Sequence, residues 1–255
     1  MGRAVCAAVS DAPDMDLVAA VDPEYAGIDL RQVTGSDGTG LLIAGHPEEL
    51  ERAGAEVAVD FTVAAAAVEN IRWCAGNGVH AVVGTTGLSG PELSEISELF
   101  SDSEANCVVA ANFAIGAVLM ARFSELAAPF MDGVEIIELH HDQKVDAPSG
   151  TALHTAELVA RARDASSPFS ADPTETTNLR GVRGGEAAGG VHVHSVRLPG
   201  LVAHQEVIFG ALGQSLTIRH DAYDRTSFMP GVLLAIRGVG LRDGLTIGLG
   251  SLLGF

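Results

Sequence analysis

The sequence predicts an α/β fold in two parts, a doubly wound parallel sheet followed by an α+β region with an open mixed sheet. In the first half, short apolar runs alternate with helix-length segments, the pattern of buried parallel strands and crossover helices. In the second half, three β-rich segments are separated by glycine-containing turns, which favours antiparallel or mixed pairing. Hydrophobic residues make up 47% of the 255-residue chain, enough for a substantial core.

The first half contains four predicted strands, Leu17–Asp22, Glu56–Phe61, Val79–Val83 and Cys107–Ala110. Helices are expected from about Val63 to Gly76 and from about Pro91 to Phe100. Ligands of doubly wound sheets bind beyond the carboxyl ends of the strands. The residues that follow these strands are therefore candidates for a binding site.

The second half opens with a predicted helix, Ile115–Phe130, and the strand Val134–His140. A Gly/Ser/Thr-rich loop over Ser166–Gly190 is expected before the three β-rich segments, Val191–Leu198, His204–Phe209 and Ser215–His220. A last helix, Thr226–Gly238, and an apolar tail to Phe255 are expected to return to the first part.

The charge balance is strongly acidic, since 15 basic and 33 acidic side chains give a net charge of −18. This balance argues against a nucleic-acid partner and against a polybasic membrane-surface protein. No apolar stretch is long enough to span a bilayer, and no secretory signal is visible. The three cysteines, Cys6, Cys74 and Cys107, lack metal-type spacing and fit a reduced compartment. We expect a cytoplasmic protein.

The chain contains fourteen arginines but a single lysine, Lys144. Arginine stays charged, whereas lysine is a compact ammonium that gives up a proton when its surroundings lower its pKa. A chain that uses arginine almost everywhere therefore suggests a specific task for Lys144, although a lone surface lysine is the alternative.

The segment around Lys144 has the highest density of reactive side chains. The strand delivers His140 and His141 to its end, Lys144 follows in a turn, and Ser149 is a plausible N-cap for a helix that contains Gly150. A helix start offers N–H groups and partial positive charge to an anion. This set suggests protonation of a small carboxylate-bearing substrate. The alternative is a pair of polar strand-end histidines beside an ordinary capped helix.

Two further turns follow buried strands and line one predicted edge of the first sheet, where a nicotinamide ring could lie. They contain Gly84, Thr85, Thr86 and Gly87, and Ala110, Ala111, Asn112 and Phe113. Asp22 is the type of acid that accepts hydrogen bonds from an adenosine ribose, and a solvated strand-end aspartate is the equal alternative.

The remaining histidines allow a second class of function. His192 and His194 share a strand face and could hold a metal, which with His140 and His141 would make a metal-dependent hydrolase. No third ligand is obvious for the His192 and His194 pair, so we expect no metal site.

The motifs as a set resemble the 4-hydroxy-tetrahydrodipicolinate reductase (dihydrodipicolinate reductase) family across essentially the whole chain, in an actinobacterial-like form. The most specific segment is E-L-H-H-D-Q-K-V-D-A-P-S-G-T-A at Glu138–Ala152. Further segments follow the family order: V-A-V-D-F-T at Val57–Thr62, V-V-G-T-T-G at Val82–Gly87, A-A-N-F at Ala110–Phe113, G-L-V-A-H-Q-E-V at Gly200–Val207 and I-R-H-D-A-Y-D-R-T-S-F at Ile218–Phe228.

The resemblance implies reduction of a cyclic dicarboxylate by NADH or NADPH in the diaminopimelate route to lysine. It implies His140 as proton donor, Lys144 as second catalytic group, and His141, Gly150 and Thr151 as substrate contacts. The cofactor contacts implied are Asp22, Gly84, Thr85, Thr86, Ala110, Ala111, Asn112 and Phe113. It further implies a Rossmann-like dinucleotide-binding domain, residues 1–112 with 226–255, a substrate and oligomerisation domain, residues 113–225, and a homotetramer.

Two departures from the family pattern set expectations. The chain lacks the family's first strand and glycine-rich phosphate loop, which suggests a mis-assigned start or, as the alternative function, a cofactor-poor paralogue that only binds substrate or self-assembles. Pro23 follows Asp22 where a basic residue would help to hold a 2′-phosphate, which favours NADH or use of both cofactors.

Overall fold

The computed structural model describes residues 1–35, 40–163 and 167–255, which divide into two compact units. Unit 1 comprises Met1–Ala114 and Arg225–Phe255, and unit 2 comprises Ile115–Asp224. The predicted fold class is confirmed, because unit 1 holds a parallel sheet packed with helices and unit 2 holds a mixed sheet.

The sheet of unit 1 has four parallel strands in the order β1-β2-β3-β9: β1 Val57–Asp60, β2 His80–Val83, β3 Cys107–Val109 and β9 Leu245–Ile247. Val83 pairs with Asp60 on one side and with Val109 on the other, so the carboxyl ends of three strands lie at one edge. Strand β9 comes from the apolar tail, which confirms that this tail returns to the first part.

The helices of unit 1 are α1 Gly2–Asp11, α2 Leu30–Thr34, α3 Glu48–Arg52, α4 Ala64–Gly76, α5 Gly90–Ser101, α8 Met229–Val239 and α9 Gly250–Leu253, with 3-10 turns at Pro23–Tyr25 and Arg225–Phe228. Helix α5 begins at a capping box in which Ser89 and Glu92 satisfy each other's backbone N–H groups. Ile71 of α4 and Ile96 and Phe100 of α5 are fully buried against the sheet, and their apolar area holds the layers together.

The predicted strand Leu17–Asp22 is not formed as a strand. Its backbone makes an isolated parallel bridge, Val21 with Ala44, through Asp22 N–H to Ala44 O at 2.9 Å and Ala44 N–H to Ala20 O at 2.8 Å. The apolar pattern predicts an extended buried segment, but a regular strand also needs a continuous ladder. The segment therefore brings Asp22 into place without joining the four-stranded sheet.

The sheet of unit 2 has five strands in the order β5-β6-β4-β7-β8: β4 Gly133–His140, β5 Gly185–Glu186, β6 His192–Arg197, β7 Ala203–Ala211 and β8 Gln214–Ala222. Strand β4 pairs with β6 in parallel and with β7 in antiparallel orientation, which makes the sheet mixed. Helices α6 Ile115–Ala127 and α7 Gly150–Ala162 contribute to its core, in which Ile136, Val207 and Phe209 are fully buried.

The central strand β4 positions the site. Along it, Val134, Ile136 and Glu138 are buried in alternation with partly exposed residues. Because side chains alternate between the faces of a strand, His140 lies on the same face as Glu138. A carboxylate thus continues a row of core side chains and meets a histidine at the strand end.

The segment predicted as a long loop, Ser166–Gly190, is largely irregular, although Ser166 itself lies outside the described residues. The short strand β5 and a 3-10 turn at Ala188–Gly190 lie within it, which the sequence did not predict. Within the described ranges, no helix has the length and apolarity needed to cross a membrane. The cytoplasmic location stays a prediction.

Candidate active site

A buried carboxylate supports the first of the two strand-end histidines. Glu138 is 0% exposed, and its Oε2 lies 2.5 Å from His140 Nδ1. Its Oε1 accepts a hydrogen bond from Ser149 N–H at 3.2 Å, which joins the strand to the start of α7. The carboxylate therefore fixes both the histidine ring and the helix terminus beside it.

Arg197 neutralises this carboxylate and extends the network. Its Nη1 and Nη2 each donate to one oxygen of Glu138 at 2.8 Å, and Nη2 also donates to the main-chain carbonyl of Asp146 at 2.8 Å. The parallel pairing of β4 and β6 places Arg197 opposite His140. Such a bidentate ion pair fixes the relative orientation of the two side chains and also compensates the charge of the carboxylate.

The network shifts the pKa values of both partners. Burial alone would raise the pKa of Glu138, but hydrogen bonds from Arg197, Ser195 and His140 outweigh it and hold the pKa below its ordinary value. Burial lowers the pKa of His140 below its ordinary 6.5, Glu138 works against that shift, and Lys144 and Arg197 add to it. In the free protein His140 is consequently neutral near pH 7.

Lys144 lies in the turn after β4, where its N–H donates to the His141 carbonyl at 3.2 Å. Its Nζ is paired with the Asp146 carboxylate, 2.7 Å from Oδ1 and 2.8 Å from Oδ2. His141 is exposed, and its own N–H donates to Val202 O at 3.4 Å. The turn thus presents one ammonium and one imidazole next to the His140 network.

Helix α7 begins as the sequence predicts, with Ser149 as N-cap, and the Ser149 hydroxyl accepts a hydrogen bond from Ala152 N–H at 3.2 Å. Apart from its chain neighbours and the backbone of its own helix, a Cβ added to Gly150 would meet no atom of the described chain within 4 Å, so the first turn is open at this position. Thr151 follows on the same turn. The helix start therefore offers N–H groups and partial positive charge to an anion.

At the edge of the unit 1 sheet, the predicted cofactor residues are brought together by side chains of the neighbouring strand. Thr85 is buried and its hydroxyl donates to Asp60 Oδ1 at 2.8 Å, while Thr86 is exposed. A Cβ on Gly84 would lie 2.0 Å from the Phe61 ring, so only glycine fits beneath that ring. The turn after β2 is thereby held against the end of β1.

The turn after β3 meets the same edge. The Phe113 ring packs against that of Phe61 with centroids 5.5 Å apart, and Phe113 and Ala110 are buried. Ala111 is exposed, and the Asn112 side-chain oxygen accepts a hydrogen bond from Ala114 N–H at 2.9 Å. The turns after β2 and β3 therefore form one surface.

Asp22 belongs to a different part of unit 1. It lines a cavity of about 440 Å³ together with the start of α1, Arg3 and Arg225. A carboxylate suits ribose hydroxyls, and guanidinium groups beside a helix start suit phosphates, so this donor set fits the adenosine phosphate half of a dinucleotide. Arg225 is not among the residues predicted for the site, although its position shortly after the last long strand was a usable signal.

The other histidine pair has different partners. His194 Nε2 lies 2.8 Å from Glu135 Oε2, and His192 Nδ1 lies 2.7 Å from the Arg183 carbonyl. In residues 1–35, 40–163 and 167–255, no group of three or more His, Cys, Asp or Glu side chains is placed to hold a metal ion.

A Rossmann-type parallel sheet with a cavity whose donors suit a dinucleotide, together with a histidine–lysine pair near a helix start, is typical of nicotinamide-dependent reductases. Two family models match the chain, that of the dihydrodipicolinate reductase N-terminus over residues 1–113 and that of the C-terminus over residues 116–253. The chain belongs to the 4-hydroxy-tetrahydrodipicolinate reductase family.

Individual relatives agree with the family models. The chain is 46% identical to the 4-hydroxy-tetrahydrodipicolinate reductase of Desulfitobacterium hafniense (strain DSM 10664 / DCB-2) over 256 residues, which cover 99% of this chain and 94% of that one. It is 48% identical to the reductase of Nocardia farcinica (strain IFM 10152) over 250 residues, with 98% and 92% covered. The enzyme therefore reduces 4-hydroxy-tetrahydrodipicolinate with NAD(P)H in lysine biosynthesis.

Solved structures agree with the fold. The dipicolinate-bound dihydrodipicolinate reductase from Paenisporosarcina sp. TG-14 superposes with a TM-score of 0.85 at 40% identity, covering 98% of this chain and 94% of that one. An amine dehydrogenase from Mycobacterium smegmatis shares the fold at 15% identity, with a TM-score of 0.65 and coverage of 96% and 91%. The family models and the reductase relatives support the reductase function rather than the metal-hydrolase or cofactor-poor alternatives.

Proposed function

We propose that His140 donates the proton and Lys144 supplies the cationic group in the reduction of 4-hydroxy-tetrahydrodipicolinate. The observation that carries this assignment is the convergence of three features at the end of β4: the His140–Glu138 pair, the Lys144 ammonium and the open first turn of α7. The substrate is a dicarboxylate, and this arrangement offers it an ammonium, a helix start and an acid.

The substrate carboxylates find their partners in unit 2. Lys144 is 20% exposed and already holds the carboxylate of Asp146, so its ammonium is placed for carboxylate binding. Gly150 and Thr151 lie in the first turn of α7, whose dipole favours an anion, and the exposed His141 adds a further polar side chain. We assign these three residues to substrate binding.

The chemistry consumes one hydride and one proton after the substrate has lost water. The nicotinamide supplies the hydride when it is bound. His140 holds the proton on the ring nitrogen that faces away from Glu138, and after transfer the ring is neutral. Lys144 lowers the cost of the substrate's negative charge while the bond to hydrogen forms.

The cofactor is assigned to unit 1. Gly84, Thr85 and Thr86, with Ala110, Ala111, Asn112 and Phe113, form the surface proposed for the nicotinamide half, and Asp22 is proposed for the adenosine ribose. The Asp22 carboxylate would repel a 2′-phosphate, whereas Arg3 and Arg225, which line the same cavity, would attract it. We therefore propose NADH or use of both cofactors, in a homotetramer whose mass light scattering in solution will test.

Lys144→Ala tests the assignment of the substrate site. The variant should lose at least tenfold in calorimetric affinity for dipicolinate, the ligand bound by the relative from Paenisporosarcina, and lose most of its turnover. Its affinity for NADH should stay unchanged. Arg161→Ala, which removes a positive charge from the last turn of α7, is the matched control. Parental turnover in Lys144→Ala would overturn the assignment.

A further inference from the structure

The carboxylate behind His140 makes an unusual number of hydrogen bonds for a side chain of the core. Glu138 is 0% exposed and is contacted by His140 on its own strand, by both terminal nitrogens of Arg197 and by the N–H of Ser149. A buried charge is tolerated only where donors and an opposite charge compensate it. Such an arrangement exceeds what packing of a strand requires.

The hydrogen-bond inventory fixes the position of one proton. The guanidinium and main-chain N–H groups are donors only, so Glu138 accepts from Arg197 and Ser149 and is ionised. An ionised carboxylate only accepts, and therefore the hydrogen between the two groups belongs to His140 Nδ1. Nε2 is left as the nitrogen that can exchange a proton with a ligand.

We propose that Glu138, held ionised by Arg197, is a positioning residue that fixes the His140 tautomer with hydrogen on Nδ1, and that arrival of the dicarboxylate loads a proton onto Nε2. This inference rests on the proposed role of His140 and deepens it. The proton comes from solvent when the ligand binds, passes from Nε2 to the substrate, and leaves a neutral ring that keeps its Nδ1 hydrogen.

The charges around His140 explain why loading depends on the ligand. Glu138 acts on it from the same strand, Arg197 from β6 and Lys144 from the following turn. Glu138 and Arg197 offset each other, whereas Lys144 disfavours an imidazolium in the free protein even though its ammonium is paired with the exposed carboxylate of Asp146. A bound dicarboxylate brings two further negative charges beside this network, which favours the imidazolium.

Arg197 also links the two halves of the unit 2 site. The nitrogen that contacts Glu138 Oε1 donates to the main-chain carbonyl of Asp146 as well, both at 2.8 Å. The turn that carries Lys144 is thereby held at a fixed distance from the carboxylate that orients His140. Displacement of Arg197 would disturb both groups at once.

Nitrogen-15 NMR of the histidines in the parent protein tests the tautomer without any substitution. We expect the His140 signals, assigned by their loss in His140→Gln, to show a protonated Nδ1 and an unprotonated Nε2 in the free protein. On saturation with dipicolinate both nitrogens should become protonated. A free protein with hydrogen on Nε2, or a ring unchanged by dipicolinate, would overturn the proposal.

Glu138→Gln removes the charge and keeps the shape. Its turnover should fall on the order of 100-fold, while its affinity for NADH is unchanged. Calorimetry in buffers of different ionisation heat should give proton uptake on dipicolinate binding for the parent and much less for the variant. Glu138→Asp, which keeps the charge, should recover part of both values.

Glu135→Gln is the matched control, because Glu135 lies on the same strand and is also paired with a histidine, His194, and an arginine, Arg183. Parental turnover and proton uptake are expected for it. If His140→Gln is as active as the parent, the proposed function itself fails. If His140→Gln is inactive while Glu138→Gln matches the parent in turnover and proton uptake, only the positioning role fails.

Discussion

Lys144 directs its ammonium at the carboxylate of Asp146, with Nζ 2.7 Å from one oxygen and 2.8 Å from the other. The hydrogen bond from Lys144 is also the main reason why the pKa of Asp146 is lowered. Asp146 is 59% exposed and lies two residues beyond the lysine. On the proposed role of Lys144, an incoming substrate carboxylate therefore has to compete with a carboxylate of the chain itself.

Asp146→Asn should tighten dicarboxylate binding. The substitution removes the Asp146 carboxylate, so Lys144 is available to the ligand and a negative charge that repels the dicarboxylate is lost. For an exposed ion pair this corresponds to a roughly two- to fivefold lower Kd for dipicolinate. Calorimetry at low and high salt measures it, and the gain should shrink at high salt. Asp142→Asn removes a carboxylate from the same turn and controls for net charge. An equal gain in both variants would contradict the competition.

The pH dependence of the reaction should differ between its two kinetic constants. The pKa of His140 in the free protein is lowered from 6.5 by burial, so protonated His140 becomes scarce as pH rises above that lowered value. We expect kcat/KM to fall about tenfold per pH unit there. In the proposed mechanism a bound dicarboxylate favours the imidazolium, and kcat should therefore stay level to higher pH. Steady-state profiles from pH 5 to pH 9 check this, and coinciding profiles would contradict it.

The same shift makes a prediction about stability. A histidine whose pKa is lower in the folded than in the unfolded chain contributes stability above pH 6.5, which is lost as pH falls through the lower folded value. His140→Gln has no such group and should lose less stability between pH 6.5 and pH 5 than the parent does. Urea denaturation at these two pH values measures the difference. An equal acid-induced loss in parent and variant would be incompatible with a lowered pKa.

Local patterns were sufficient for much of the fold. The alternation in Val134–His140 predicts β4, and Ser149 before a helical pattern predicts the start of α7, because each signal lies within a few neighbouring residues. The strand predicted at Leu17–Asp22 failed for the opposite reason. Its apolar pattern is local, but a ladder partner is a property of the whole sheet.

The hydrogen-bond network around His140 could be predicted from the sequence only in part. Glu138 shares the buried face of β4 with Ile136, and a carboxylate at such a position was a readable signal. The contact with Arg197 could not be predicted from the sequence, because Arg197 is 59 residues away and reaches Glu138 only through the parallel pairing of β4 with β6. The sequence identifies which reactive side chains lie at the end of β4. The position of the proton on the His140 ring depends on a contact between distant segments.

Gly84→Ala should weaken cofactor binding. The added Cβ would lie 2.0 Å from the Phe61 ring, which packs on Phe113, so the surface formed by both turns must shift. Overpacking of this kind costs about 1–3 kcal/mol, and we expect a fall in Tm and at least a tenfold weaker NADH affinity. Gly90→Ala, whose Cβ meets no atom of the described chain within 4 Å, should match the parent. If Gly84→Ala binds NADH as tightly as the parent does, this surface is not the cofactor site.

Asp22→Asn should shift the cofactor preference towards NADPH. Its carboxylate lines the cavity with Arg3 and Arg225, where it would repel a 2′-phosphate and would accept hydrogen bonds from a ribose diol. The amide removes that repulsion and keeps an acceptor for Glu24 N–H, which the carboxylate now caps at 2.9 Å. The ratio of the NADPH to the NADH dissociation constant should fall about tenfold, as measured by fluorescence titration.

The control is Asp16→Asn, which removes an exposed charge from the same unit and should leave the ratio unchanged. A ratio unaffected by Asp22→Asn would place the ribose elsewhere and leave the cavity beside α1 without a role in cofactor choice.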